Sequence, residues 1–364
     1  MQPDRPTLET LRDGLRGWYL ARRRRLPWRD EPTPYRVWLS EIMLQQTQVA
    51  TVIPYFERFV ATFPTVEALA AAPEEDVLAL WAGLGYYRRC RALHEAAKAI
   101  VRDHGGALPA SLDALLALPG VGRYTAGAIA SIAFGLRAPL VDGNVARVLA
   151  RLTALEPTQE SAAGQKALWA LADALVDPVD PSTHNQALME LGALVCSPRS
   201  PDCGACPWHD GCRARATGDP ESYPRRAPKR APTAMSAVGG LATRDDGAML
   251  LARRPDGGLL GGLWELPGGE HARGDGSRKD AVERWFAERL GLAVDVRSHV
   301  ASVTHVFTHR RLALEIYAVD GADRLAPRPT WYTEARWVTA GEVAALPLSR
   351  LTEKVLAAVE GRAR

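Results

Sequence analysis

Four of the five cysteines crowd between residues 196 and 212: Cys196, Cys203, Cys206 and Cys212, with gaps of six, two and five residues. Four thiolates so close in sequence favour a tetrahedral, sulphur-rich centre, either zinc or an iron–sulphur cluster. Zinc ligands usually pair across two to four residues, and the gap of six is unusual for that. A second feature is Leu118-Pro119-Gly120-Val121-Gly122-Arg123. Its glycines allow positive φ and close backbone approach. The helix after it offers free N–H groups and a positive dipole end to an anion. Such a turn can grip a nucleic-acid phosphate without reading sequence, or it can be a plain connection between helices.

Two acids are candidates for proton and charge chemistry. Glu41 sits among Trp38, Ile42, Met43 and Leu44. On a helix edge it would face solvent. In a pocket, desolvation would favour its neutral form, and a carboxyl kept protonated can act as a general acid near neutral pH. Asp142 precedes a helical run that begins near Val145. It can cap that helix, as can Asn144, or it can present a carboxylate to a positively charged centre.

These residues depend on elements that the apolar pattern outlines. Residues 8–195 read as helix after helix. Tyr86, Cys90, Leu93, Ala97, Ile100 and Val101 share one face at helical spacing, which makes Cys90 a buried structural residue. Further helical runs cover 37–59, 111–118, 124–134, 145–152, 162–175 and 185–195. Turn signals at Pro64, Pro73, Pro109 and Pro119-Gly120 separate them. Residues 217–234 then hold Pro220, Pro224, Pro228 and Pro232 beside Arg225, Arg226, Lys229 and Arg230. Proline at that density stiffens a chain but builds no core, so this reads as a linker. Beyond it the period approaches two: Leu312, Leu314, Ile316 and Ala318 alternate with their neighbours as in a strand. Strands are also expected over 248–254 and 298–307, and helices over 279–290 and 351–359. The organisation expected is a mainly α domain over 1–216, a linker over 217–234 and an α+β domain over 235–364.

Composition sets the outer bounds. A chain of 364 residues favours two or three domains. With 47% hydrophobic and 24% charged residues, global disorder and fibres are excluded. The net charge is only +3, but the basic residues include just five lysines, and arginine suits bidentate phosphate and base contacts. No stretch approaches the roughly 18–20 apolar residues of a membrane helix. The start, through Arg22-Arg23-Arg24-Arg25, lacks the apolar core of a signal peptide, and Asp4, Glu9 and Asp13 argue against a transit peptide. A soluble, cytoplasmic protein without a membrane partner is expected, and cysteines clustered in that compartment read as metal ligands before disulfides.

Roughly residues 15–215 resemble the endonuclease III superfamily of helix–hairpin–helix DNA glycosylases. The cysteine spacing matches that superfamily's [4Fe–4S] loop in all four ligands and all three gaps, and 118–123 is similar to its hairpin. Three segments add to the likeness: Leu39-Ser40-Glu41-Ile42-Met43-Leu44-Gln45-Gln46-Thr47-Gln48, Arg123-Tyr124-Thr125-Ala126 and Val141-Asp142-Gly143-Asn144-Val145-Ala146-Arg147. The whole looks most like the adenine DNA glycosylases of the MutY type, which remove adenine mispaired with 8-oxoguanine. The resemblance implies that Glu41 protonates the adenine and that Asp142 faces the sugar, where an anion stabilises the oxocarbenium-like centre left behind. Tyr124 and Asn144 would orient Asp142 or the sugar. Bifunctional relatives carry a lysine where Tyr124 stands; a phenol forms no Schiff base, so the reaction should stop at the abasic site. Arg24, Leu26, Trp28 and Leu44 resemble the adenine-pocket wall. Gln46 and Tyr86 resemble the wedge that fills the hole left by a flipped nucleotide. Pro119, Gly120, Val121 and Gly122 would hold backbone phosphate.

In the last third, Gly261-Gly262-Leu263-Trp264-Glu265-Leu266-Pro267-Gly268-Gly269 followed by 279–292 resembles the Nudix fold. An active Nudix hydrolase needs Arg-Glu-x-x-Glu-Glu to hold magnesium. Here the run is Arg284-Trp285-Phe286-Ala287-Glu288-Arg289, so two of three acids are gone. What remains is a binding module, which in the adenine glycosylases reads 8-oxoguanine through a Phe-Ser-His element. This chain has Phe307-Thr308-His309, and threonine keeps the hydroxyl. Gly262 would allow close approach to DNA. The expected partner is duplex DNA with an A:8-oxoguanine or A:G mispair, bound by a monomer. An endonuclease III-like lyase and a non-enzymatic DNA binder are the competing readings.

Overall fold

Segments with apolar residues at helical spacing fold as helices from Leu8–Arg22 to Pro181–Leu194 in a computed structural model that describes residues 7–227, 232–272, 274–307, 309–323 and 326–361. Thr308 lies outside them. By contacts the chain divides into two units, Met1–Ala72 with Arg91–Pro228 and Pro73–Cys90 with Lys229–Arg364.

Within the first unit, side-chain caps start the helices that matter for chemistry. Thr33 accepts from Arg36 N ahead of Pro34–Leu44, and Asp142 accepts from Val145 N ahead of Gly143–Thr153. The predicted run over 37–59 is two helices, Pro34–Leu44 and Val49–Thr62. The break carries no glycine or proline, which is why periodicity alone ran through it. Gln46 stands there at φ +57, a conformation a non-glycine residue adopts only where its surroundings compel it. Leu15, Tyr19, Val145, Leu149, Leu168, Leu188 and Leu191 form a fully buried core. At Gly192 a Cβ would lie 2.7 Å from Cβ of Asn144, so only glycine lets Pro181–Leu194 pack this closely on the Asp142 loop.

The stretch read as a linker is partly built into this unit. Tyr223 and Pro224 are buried, and Arg151 Nε donates to the Tyr223 carbonyl at 3.0 Å. A strand begins at Thr233, inside the predicted 217–234 boundary.

The second unit takes in Pro73–Cys90, which the sequence reading gave to the first domain. Tyr87 explains why: its hydroxyl donates to the Leu348 carbonyl at 2.6 Å. Tyr86 lies just outside the helix Tyr87–His104, and both it and Val101 are exposed. The face proposed over 86–101 therefore shrinks to Cys90, Leu93, Ala97 and Ile100, all buried, Cys90 completely. The strands of this unit are β1 (Thr233–Ala242), β2 (Met249–Arg253), β3 (Trp264–Glu265), β4 (Gly268–Glu270), β5 (Asp295–Val306), β6 (Arg310–Asp320) and β7 (Glu334–Val338). They form two sheets, β4-β1-β6-β5 and β3-β2-β7, with only β1 and β6 parallel. Along β6, Leu312 and Ile316 enter one core and Tyr317 and Val319 another, so both faces of that sheet are covered. Arg278–Leu290 packs against the second of these cores through Ala281, Val282, Phe286 and Leu290.

Candidate active site

Three segments of the first unit converge on one cavity of about 1040 Å³. The helix Pro34–Leu44 supplies Glu41, 5% exposed. The helix Arg123–Phe134 starts directly after the Gly120-Val121-Gly122 turn and supplies Tyr124. The loop ahead of Gly143–Thr153 supplies Asp142 and Asn144. The Tyr124 hydroxyl donates to Glu41 Oε2 at 2.5 Å and lies 3.3 Å from Met189 Sδ. Asp142 Oδ1 accepts from Val145 N at 2.7 Å, and Oδ2 accepts from Asn144 Nδ2 at 3.2 Å. Asn144 Oδ1 in turn accepts from Arg147 Nη2 at 2.8 Å, and Arg147 Nε donates to the Cys196 carbonyl at 2.7 Å. Asp142 is thus a helix cap and a cavity residue at once.

Both carboxyls lie above their ordinary values, but their partners differ. Burial pushes Glu41 up to about 7, against the Tyr124 hydrogen bond and with help from the neighbouring Asp142 charge. Burial also raises Asp142, but the Val145 and Asn144 donors and the Arg147 charge favour its anion. Paired carboxyls with diverging environments are the arrangement in which one serves as acid and the other as anion. Burial raises the Tyr124 phenol well above its ordinary range, so it acts as a donor.

A folding consequence follows from Glu41. Its folded pKa is raised, so the stability it allows is complete below its ordinary value of 4.5 and is lost as pH climbs through about 7. Glu41→Gln removes that loss. In urea unfolding at pH 8 this variant should be more stable than the parent by on the order of 2–3 kcal/mol, and the gap should close near pH 4.5. An equal gap at both pH values would contradict the buried, neutral acid.

Arg24, Leu26, Trp28 and Leu44 line the same cavity, as do Gln46, Gly120 and Gly122. Pro119 and Val121 do not line it; Val121 is buried and braces the turn, and Gly120 takes φ +71 there. Among the lining residues that escaped the sequence reading are Glu190 and Arg29. Glu190, 1% exposed, accepts from Arg24 N, Nε and Nη2 at 3.0, 2.9 and 2.8 Å and from Arg29 Nη2 at 3.1 Å. Burial would raise its carboxyl, but the Arg24 and Arg29 hydrogen bonds outweigh this and hold it at about 2. The available signal was an acid inside the apolar run Leu188-Met189-Glu190-Leu191, since a buried charge requires a partner.

The four clustered cysteines line a small cavity with Arg151, His209 and Arg215. Arg151 Nη1 lies 3.4 Å from Cys196 Sγ. Burial pushes the Cys206 thiol up to about 12, so thiolate here calls for a strongly cationic centre. An all-sulphur donor set around such a cavity fits iron–sulphur chemistry.

In the second unit, Tyr86 is 49% exposed at φ +51, and Gly262 takes φ +67. Phe307 and His309 flank the tip of the β5–β6 hairpin, where Phe307 N donates to the Arg310 carbonyl at 2.8 Å. His309 is exposed, whereas Phe307 is half-buried against His305 with ring centroids 4.6 Å apart. Arg289, in place of a metal-binding acid, lies 4.1 Å over Trp285 and 4.0 Å over Trp331 and donates to the Gly268 carbonyl at 2.7 Å. A cation fills the place where an active hydrolase needs anions.

Among the described residues, no helix is long and apolar enough to cross a membrane. Residues 39–173 match the model of the HhH-GPD superfamily base excision DNA repair proteins, 196–212 the iron–sulphur binding domain of endonuclease III and 238–358 the NUDIX domain. The cofactor is accordingly a [4Fe–4S] cluster. A solved thermostable thymine-DNA glycosylase superposes with a TM-score of 0.54 at 30% identity, covering 58% of this chain and 97% of that one. The adenine DNA glycosylase of Schizosaccharomyces pombe is 31% identical over 87% of this chain and 83% of its own length. That of Homo sapiens is 38% identical over 96% of this chain and 74% of its own length. Carrying the helical repair domain, the cysteine loop and the Nudix-like domain along nearly its whole length, this chain belongs to the adenine DNA glycosylases.

Proposed function

We propose that this DNA glycosylase of base excision repair acts on adenine opposite 8-oxoguanine or guanine and stops at the abasic site. The observation that carries the reading is the shared cavity of Glu41 and Asp142, one carboxyl held neutral and the other supplied with donors that favour its anion. A stacked adenine must leave the duplex to enter it. Glu41 delivers its proton to a ring nitrogen, and the electrons of the breaking C–N bond go to the departing base. Asp142 faces the cationic sugar carbon. Water adds its oxygen there and returns a proton to the Glu41 carboxylate. Tyr124 holds the Glu41 carboxyl in place and offers no amine for a Schiff base. Gln46 and Tyr86 fill the gap left by the flipped nucleotide, and the Gly120–Gly122 turn holds phosphate.

The His309 end of the β5–β6 hairpin reads the base opposite, with Phe307 as its packed base. The domain division is proposed as 1–216 for base removal and 235–364 for damage reading, with Pro73–Cys90 attached to the latter. A duplex with adenine opposite 8-oxoguanine should yield strand breaks only after alkali. Breaks without alkali would favour a lyase, and the absence of abasic sites would leave only a DNA binder. His309→Ala should reduce the preference for 8-oxoguanine over guanine roughly fivefold, the worth of one hydrogen bond, while the single-turnover rate on A:G holds. An unchanged preference would remove His309 from damage reading.

A further inference from the structure

The segment after the cysteine loop carries a side chain that base removal as described leaves unused. Residues 223–227 are pinned to the first unit. Besides the Arg151 contact, the Tyr223 hydroxyl donates to Glu156 Oε1 at 2.8 Å and Gln159 N donates to the Arg225 carbonyl at 3.1 Å. Arg225 is spent on this attachment: its guanidinium lies 4.4 Å over the Tyr223 ring and pairs with Glu156 at 3.4 Å. The next residue is not. Arg226 is exposed and, among the described residues, makes no hydrogen bond or ion pair, though its charge is felt by Glu160 and Arg147. It lines an open groove of about 460 Å³ together with Gln46, Thr47, Asp142 and Asn144.

We propose that Arg226 grips a backbone phosphate directly beside the extruded nucleotide. The inference rests on the reading in which Asp142 faces the sugar. A sugar held there carries its two phosphodiesters as covalent neighbours, so the groove beside Asp142 and Asn144 is where one of them must lie. The glycine turn lining the adjoining cavity offers backbone N–H groups without net charge, whereas Arg226 brings a full cation. A guanidinium forks onto two phosphate oxygens, and the fixed backbone lowers the ordering cost of doing so.

The test uses the full chain and a duplex with 8-oxoguanine opposite a 2′-fluorinated deoxyadenosine, which resists release. Arg226→Ala should bind about three- to tenfold more weakly, and its log affinity should fall less steeply with log salt, the slope dropping by about 1. Arg226→Lys should restore the slope. A neutral methylphosphonate at one of the two phosphates flanking the adenosine should weaken the parent and leave Arg226→Ala unaffected. Equal slopes for parent and Arg226→Ala overturn the proposal, as does a methylphosphonate penalty that is the same in both proteins at both positions. The catalytic reading fails separately: it falls if the parent releases no adenine from the unmodified duplex, whatever the slopes show.

Discussion

Glu41→Gln should abolish adenine release while leaving lesion binding nearly intact. Glutamine fills the same space and still accepts the Tyr124 hydrogen bond, so the cavity should keep its shape. It cannot donate a strongly acidic proton, and adenine leaves poorly as an anion. General acid catalysis contributes about 10²–10⁴-fold, and a loss towards the upper end is expected because, on the proposed reading, Glu41 is the acid that faces the base. The pH profile adds a second readout. On the proposed reading the working form of Glu41 is protonated, so single-turnover rates in the parent should decline as pH rises through about 7, where burial places its pKa. In the glutamine variant the residual rate should lose that inflection. Full turnover by Glu41→Gln, or a parent rate that climbs through pH 8, would remove this residue from the proton step.

Asp142→Asn should cost about 10²–10³-fold in rate, the usual scale for losing one preorganised electrostatic contact to a developing charge. On the proposed reading the residue has two duties, and the asparagine separates them. Asparagine caps helices about as well as aspartate, so Val145 N keeps its acceptor and the helix Gly143–Thr153 keeps its start. What is lost is the negative charge and, with it, the oxygen that accepts from Asn144 Nδ2. Asp142→Ala removes both and should add about 1 kcal/mol of destabilisation. Single-turnover rates paired with melting curves distinguish the two: asparagine should be slow but stable, alanine slow and less stable. An asparagine variant as fast as the parent would mean that the sugar carbon does not depend on this anion.

Much of this was legible because the chemistry is local in sequence. The cysteine gaps, the glycine turn and the missing metal acids between Arg284 and Arg289 each sit within a short stretch, and each recurs as a unit in the fold. Long-range pairings were not legible. Glu190 owes its charge to Arg24 and Arg29, more than 160 positions away, and nothing in a linear pattern ties them together. Gln46 was named, but the break it occupies was missed, because a left-handed residue without glycine has no compositional mark. Tyr87 was passed over for the same reason as Glu190: its partner, the Leu348 carbonyl, is a backbone group that any residue could supply. The docking of Tyr223 and Pro224 was hidden by proline content, which reports stiffness and says little about whether a stiff segment has a surface to lie on.

The four-arginine run 22–25 looks like a uniform positive edge, yet Arg24 is folded inward onto Glu190. DNA arrives as a polyanion, and a hollow lined by four carboxyls, Asp30, Glu41, Asp142 and Glu190, would ordinarily repel it. Here Glu41 sheds its charge by holding a proton, Glu190 has its charge cancelled by two guanidiniums and Asp30 is exposed to solvent, which leaves Asp142 as the half-buried acid of that wall whose neighbours favour its anion. On the proposed reading the hollow can therefore admit a strand of phosphodiesters and still keep the Asp142 charge in reserve for the moment the sugar becomes positive.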